Sequence, residues 1–141
     1  DKFSGQVSGE SIIEKNQVEI KEIFEKENIE EILNKTYSLS QNGSEFSKNT
    51  EHELKGKSPT SLKITFKQIH MATEMSLRDA LIMEYRMVQR CQASGDFYEG
   101  VRAMLVDKDR NPQWKPSNLD KVDEIWVNHF FEPLHEKDLK I

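Results

Sequence analysis

Glu99, beside the aromatic pair Phe97-Tyr98 in the stretch GDFYEGVRAMLVDKDRNPQWKP, is the carboxylate most suggestive of acid–base chemistry. Such work needs one carboxyl group desolvated or otherwise tuned. The three-residue spacing from Asp96 to Glu99 has a simpler reading as a capping pair at a helix start, and that reading is preferred. Glu25-Lys26-Glu27 and Glu30-Glu31 read as solvated helix faces. Lys108, Arg110 and Lys115 form the only dense basic set, and in the absence of a G-x-G-x-x-G or P-loop segment a phosphate would have to be held by such point charges. They alternate with Asp107 and Asp109, so surface ion pairing among these neighbours is expected.

The other reactive side-chain types offer less. His52, His70, His129 and His135 show no H-E-x-x-H or other ligand spacing on one helix face, and they read as surface or edge-of-core residues. Cys91 is the only cysteine, so the chain by itself makes neither an internal disulfide nor a cysteine-based zinc site. Lying near Val88 on an apolar face, Cys91 is expected to act as a small buried hydrophobe and not as a reactive thiol. Trp114, Trp126, Phe130 and Phe131 are expected to be core anchors or interface residues and not a ligand platform. No catalytic, cofactor-binding or metal-ligating residue is assigned, and no cofactor is expected.

The elements that would carry these residues read as helices throughout. Asn16 is placed to cap a short helix bearing Val18, Ile20, Ile23 and Phe24, and Asn28 with Glu31 forms a capping pair before Ile29, Ile32 and Leu33. Gly43 suits the left-handed position past a helix end, and Ser44 restarts the chain. Ser58-Pro59 is the clearest boundary, because proline at the first helical position forfeits no hydrogen bond. Ser76 with Asp79 opens the next helix, Gly95 ends it, and Asp96 opens another. Pro112 and Pro116 hold the segment around Trp114 out of helix. A last helix runs from about Asp120 or Asp123 to Phe131, stopped by Pro133. With no useful strand alternation, the expectation is an all-α fold of packed helices and helical hairpins.

Residues 1–15 read as a flexible lead-in or connector, 16–57 as short linking helices and 58–141 as a C-terminal helical domain. Helical periodicity predicts that Leu62, Phe66, Leu81, Tyr85, Val88, Val101, Leu105 and Trp114 are buried together. On that basis Leu81→Ala would cost about 2–5 kcal/mol.

Composition limits the partners. Apolar residues make up 35% of the 141, low for an ordinary globular domain, so the core is expected to be thin or shared with protein outside this chain. With 25 acidic against 20 basic residues and net charge −5, no nucleic-acid partner is expected. No apolar run approaches the roughly 20 residues that span a bilayer, and no membrane partner is expected. The chain begins with Asp1 and not methionine, which reads as a processed, cut or partly represented protein.

The segments SPTSLKITFKQ (Ser58 to Gln68), ALIMEYRMVQRC (Ala80 to Cys91), DFYEGVRAMLVDKDRNPQWKP (Asp96 to Pro116) and the closing DLKI together resemble the C-terminal region of the 3-hydroxyisobutyryl-CoA hydrolases, in the crotonase (enoyl-CoA hydratase/isomerase) superfamily. The likeness runs in order from about Val18 to Ile141, and the EGVRA, DKDR and WKP block is its most specific part. The resemblance implies the C-terminal helical layer of a crotonase-like protein without its ββα core. It implies that an upstream core of the same protein binds the acyl-CoA thioester of valine breakdown and carries the oxyanion hole and catalytic carboxylates. The helical layer would then contribute fold, site closure and subunit contacts in a homo-oligomer, in the mitochondrial matrix. Lys108, Arg110 and Lys115 would be the residues able to reach CoA phosphates from the rim. A non-catalytic hydrolase-like scaffold, such as a mitochondrial ribosome component, is the alternative of a different class, and a free-standing helical interaction module is a third.

Overall fold

The computed structural model describes residue 9 and residues 11–141. Among the described residues every regular element is helical and none is a strand: α1 (Ile12–Lys15), α2 (Gln17–Phe24), α3 (Ile29–Gln41), α4 (Glu45–Lys55), α5 (Pro59–Ala72), α6 (Leu77–Ala93), α7 (Gly95–Val101) and α8 (Glu124–His129). A π-helical turn follows α7 at Arg102–Val106, and short 3₁₀ turns lie at Leu119–Lys121 and His135–Lys137. The all-α expectation therefore holds. Most of the lead-in expected over residues 1–15 lies outside the described residues, and its described end is the single helical turn α1, closed by a reciprocal capping box between Ser11 and Glu14.

Helix starts follow the capping chemistry of the sequence. Asn28 Oδ1 accepts from the Glu31 amide at 2.8 Å while its Nδ2 donates to the Glu31 carboxylate at 2.9 Å. Ser58, Ser76 and Asp123 each accept the amide three residues on, opening α5, α6 and α8. Asn16 departs from expectation: it occupies the N-cap position of α2, but its side chain turns back to donate to Ile12 O at 2.8 Å and makes no cap bond. The end of α3 is a Schellman motif, in which Gly43 N donates to Ser40 O and Ser44 N to Leu39 O, each at 3.1 Å. Its Gly43 takes φ +95°, the left-handed backbone that only glycine adopts cheaply. Gly95 behaves differently from the sequence reading. Ser94 is at once the C-cap of α6 and the N-cap of α7, in extended backbone (φ −87°, ψ 150°), and Gly95 is the first residue of α7.

The chain divides into two compact units, Asp1–Glu53 and Leu54–Ile141. In the first, α2 packs on α3, and Ile23, Ile29 and Ile32 are buried. Polar side chains fill the rest of that interior. Thr36 is fully buried and returns its hydroxyl to Ile32 O at 2.7 Å, while the Glu19 carboxylate accepts from both Ser44 Oγ and the buried Ser47 Oγ.

In the second unit the core is built from Ile64 of α5, Met83 and Met87 of α6, and Val122, Val127 and Phe130 around α8. Met71, Ala72, Met75, Cys91 and Phe131 pack at its edge. This corrects the predicted buried set. Leu81, Val88 and Leu105 are 42%, 50% and 68% exposed, and Leu62, Phe66, Tyr85, Val101 and Trp114 are only partly buried. The cost of full burial assigned to Leu81 therefore does not apply in this chain. The physical reason lies in α5 and α6 themselves, which carry two apolar stripes. Positions 81 and 83, like 62 and 64, are two residues apart, roughly 200° around a helix, so the two stripes point in nearly opposite directions. Periodicity alone fits either stripe, and the chain buries the one on Ile64, Met83 and Met87.

Candidate functional site

The helix α7, the π turn and the extended segment after it bring the block from Asp96 to Lys115 together around one side chain, Arg102. Its guanidinium donates to Glu99 through Nε (2.9 Å) and Nη2 (2.7 Å), to Asp107 (2.6 Å) and Asp109 (2.7 Å) through Nη1, and to Asn111 O (3.2 Å). A planar fork with five N–H groups suits this task, since it engages several acceptors at fixed angles where an ammonium could not. The π turn folds the chain back on itself: Asp107 N reaches back five residues to Arg102 O at 2.8 Å, and Arg110 N reaches Ala103 O at 3.1 Å. Lys108 and Arg110 consequently sit in left-handed backbone, at φ 57° and 54°. Non-glycine residues rarely hold that conformation, and the surrounding bonds keep them there.

A second set of bonds ties this turn to the start of α5. Asp96 accepts from Ser58 Oγ at 2.6 Å and from Lys115 N at 2.9 Å, so one carboxylate links the cap of α5 to the segment between the two prolines. Trp114 Nε1 donates to Gly56 O at 3.1 Å. The Trp114 ring lies against Gly100, where an added Cβ would come within 3.3 Å of its Cη2, so the close approach depends on glycine there.

Electrostatics fix the charge states. The hydrogen bonds from Arg102, together with that from Gln113 N at 2.6 Å, lower the Glu99 carboxyl to about 2. Asp109 is lowered as well, chiefly by Arg102, and the Arg102 guanidinium is pushed up, chiefly by Glu99. A carboxylate held ionised at that strength is a poor proton shuttle at neutral pH. Glu99 does not form the capping pair expected with Asp96; its oxygens accept from Arg102 and Gln113.

The sequence-predicted residues fall as follows. Asp107 and Asp109 pair with Arg102 and not with Lys108, Arg110 or Lys115. Arg102 escapes sequence reasoning: Glu99, three residues before it, is the one partner at helical spacing, and Asp107 and Asp109 reach it only through the π turn. Cys91 lies at the core edge, where burial pushes its thiol up and away from reactivity. Phe130 is buried at 1% exposure, and Trp126 meets it edge-on at 5.3 Å. His129 bonds Glu132 and His70 bonds Phe66 O, each at 2.9 Å. No group of three or more potential metal ligands occurs among the described residues.

Beside the clamped turn lies a run of uncovered apolar side chains, Met104, Leu105 and Val106, with Phe97 and Tyr98 also exposed on α7. Residues 1–131 match the family model for enoyl-CoA hydratase/isomerase. The chain belongs to the enoyl-CoA hydratase/isomerase family. Within it, the chain is 42% identical over 132 residues to the mitochondrial 3-hydroxyisobutyryl-CoA hydrolase of Gallus gallus, an alignment that covers 94% of this chain and 34% of that protein. It is 43% identical over 130 residues to the protein of the same name from Danio rerio, covering 92% of this chain and 33% of the relative. A crystal structure of an enoyl-CoA hydratase from Rhodobacter sphaeroides 2.4.1 superposes with a TM-score of 0.86 at 26% identity, over 99% of this chain and 40% of the other. The chain thus spans about a third of the length of these hydrolases. The Arg102 block, like the helices that hold it, is a part of this family's fold that contains no strand among its described residues.

Proposed function

We propose that this chain is the C-terminal helical part of a 3-hydroxyisobutyryl-CoA hydrolase, a mitochondrial matrix enzyme that cleaves the thioester of its acyl-CoA substrate in valine catabolism. Its role is to complete the fold, close the substrate site and make subunit contacts, while the catalytic groups reside in an upstream core of the same protein. In that arrangement residues 16–57 link to the core, residues 58–141 form the helical domain, and residues 1–15 serve as the connector.

The observation that carries this reading is the extent of the match: nearly all of this chain aligns at 42% identity with only 34% of the hydrolase's length. Two physical features support it. On α5 and α6 the apolar Ile69, Leu77, Leu81 and Val88 stay exposed within the chain, as on a layer that rests on a neighbour. The most polar cluster, around Arg102, has its carboxylates bound to one guanidinium, which suits a scaffold and not a reacting centre.

The test is a thioesterase assay on 3-hydroxyisobutyryl-CoA. This chain alone is expected to show no turnover, and turnover would overturn the assignment of the chemistry to an upstream core. In the full-length protein, simultaneous charge reversal of Lys108, Arg110 and Lys115 is expected to raise KM with kcat retained if the turn meets the CoA phosphates. An unchanged KM would remove these residues from substrate binding.

A further inference from the structure

We propose that Asn42-Gly43, the turn that closes α3, is a site of spontaneous covalent modification: deamidation through a cyclic imide, guarded by the Schellman geometry. The inference is independent of the hydrolase assignment, because it rests on the chemistry of one dipeptide and its backbone.

In the step itself the Gly43 backbone nitrogen gives up its proton to hydroxide and attacks Asn42 Cγ. A new C–N bond closes a five-membered ring as the Cγ–Nδ2 bond breaks, and ammonia leaves with a proton drawn from water. Water then opens the ring at one of its two carbonyls. The product is aspartate, or isoaspartate in which the chain runs through the former side-chain carbon. No oxidant or reductant takes part.

Of the eight asparagines, Asn42 alone is followed by glycine. Glycine places no side chain beside the attacking nitrogen, both residues are exposed, and nothing lies within 4 Å of the point where a Cβ on Gly43 would stand. Asn34, Asn49 and Asn128 lie inside helices, where the next amide is held in place. Asn111 precedes Pro112, which has no N–H to attack with. The turn at Asn42 also slows the reaction. Gly43 N donates to Ser40 O, and Asn42 sits at φ −83°, ψ 5°, so the turn must open before the nitrogen reaches Cγ.

The consequence follows from the bonds around the turn. Isoaspartate adds one backbone methylene between residues 42 and 43, and the paired bonds Gly43 N to Ser40 O and Ser44 N to Leu39 O cannot both survive that lengthening. Ser44 Oγ in turn accepts Ser47 N at 3.0 Å at the start of α4 and donates to Glu19 of α2. Modification at this one turn therefore loosens α2, α3 and α4 together.

The experiment is to age the full chain in mildly alkaline buffer, native and in urea, and to map peptides by mass spectrometry with an isoaspartate-specific methylation assay. The expected result is a gain of one dalton at the peptide carrying Asn42, faster in urea than in the native chain, ahead of the peptides carrying Asn34 and Asn49. The variant Asn42→Gln, whose longer side chain cannot close the five-membered ring, is expected to abolish that gain. Absence of conversion at Asn42, or conversion no faster than at Asn34 and Asn49, overturns the proposal; equal rates in urea and in the native chain overturn the guarding role of the turn.

Discussion

Around Met83, Met87 and Phe130 almost no surface remains in contact with water, and the residues that meet there make no polar bond through their side chains. Around Arg102 the reverse is true. Asp107 and Asp109 are exposed, and the turn takes its shape from charge-assisted hydrogen bonds fanned out from one guanidinium. Both regions lie in Leu54–Ile141. The difference teaches which perturbation each answers to: apolar volume for the first, and protons, salt and planar geometry for the second.

The widest separation between the two should come from truncating the core. Phe130→Ala is expected to cost about 3–5 kcal/mol in urea denaturation, since the side chain is buried at 1% exposure. A loss below about 1 kcal/mol would mean that the core has been misplaced. The same variant is expected to leave the acid response of the turn in place.

Acid should act on the other region. The Glu99 carboxyl is held at about 2 against an ordinary value of 4.5, so the folded turn binds fewer protons than the unfolded chain between those values. Its contribution is complete above pH 4.5 and is lost as pH falls through about 2. The expected readout is loss of amide protection at Asn111 and Gln113 while Ile64 and Met87 stay protected. Arg102→Lys should produce the same loss at neutral pH, because one ammonium cannot span the acceptors that the fork holds. Retained protection at both amides in that variant would show that the turn is held by something other than Arg102.

The smallest effect is expected on the stripe that this chain leaves open. Leu77 is 78% exposed, and Leu77→Ala should change stability by no more than about 0.5 kcal/mol. A larger loss in the full-length protein than in this chain would mark the stripe as covered there.

Much of the fold is legible because capping chemistry is local. Asn28, Ser58, Ser76 and Asp123 each open a helix with a bond to an amide three residues away, and Gly43 closes one by a backbone conformation that other residues avoid. The choice of buried stripe is not local. Leu81 and Met83 are both apolar, and only the joint packing of α6 with Ile64 of α5 and with Val122, Val127 and Phe130 around α8 decides which one goes inside. The Arg102 cluster falls between these cases. Its residues are close in sequence, but nothing in spacing alone says that Asp107 and Asp109 fold back past Lys108 to reach it, because that path depends on the π turn and two left-handed residues.

Ser94 ends one helix and starts the next with no residue to spare between them. The direction of α7 is therefore set by the dihedral angles of a single unit of chain, and α7 with the π turn extends roughly 17 Å from that pivot. At that radius a swing of about 10° carries the tip of the lever roughly 3 Å. The bonds of Asp96 to Ser58 and Lys115 fasten the lever beyond that pivot, so the charged turn keeps its place only while both the single-residue joint and this carboxylate hold.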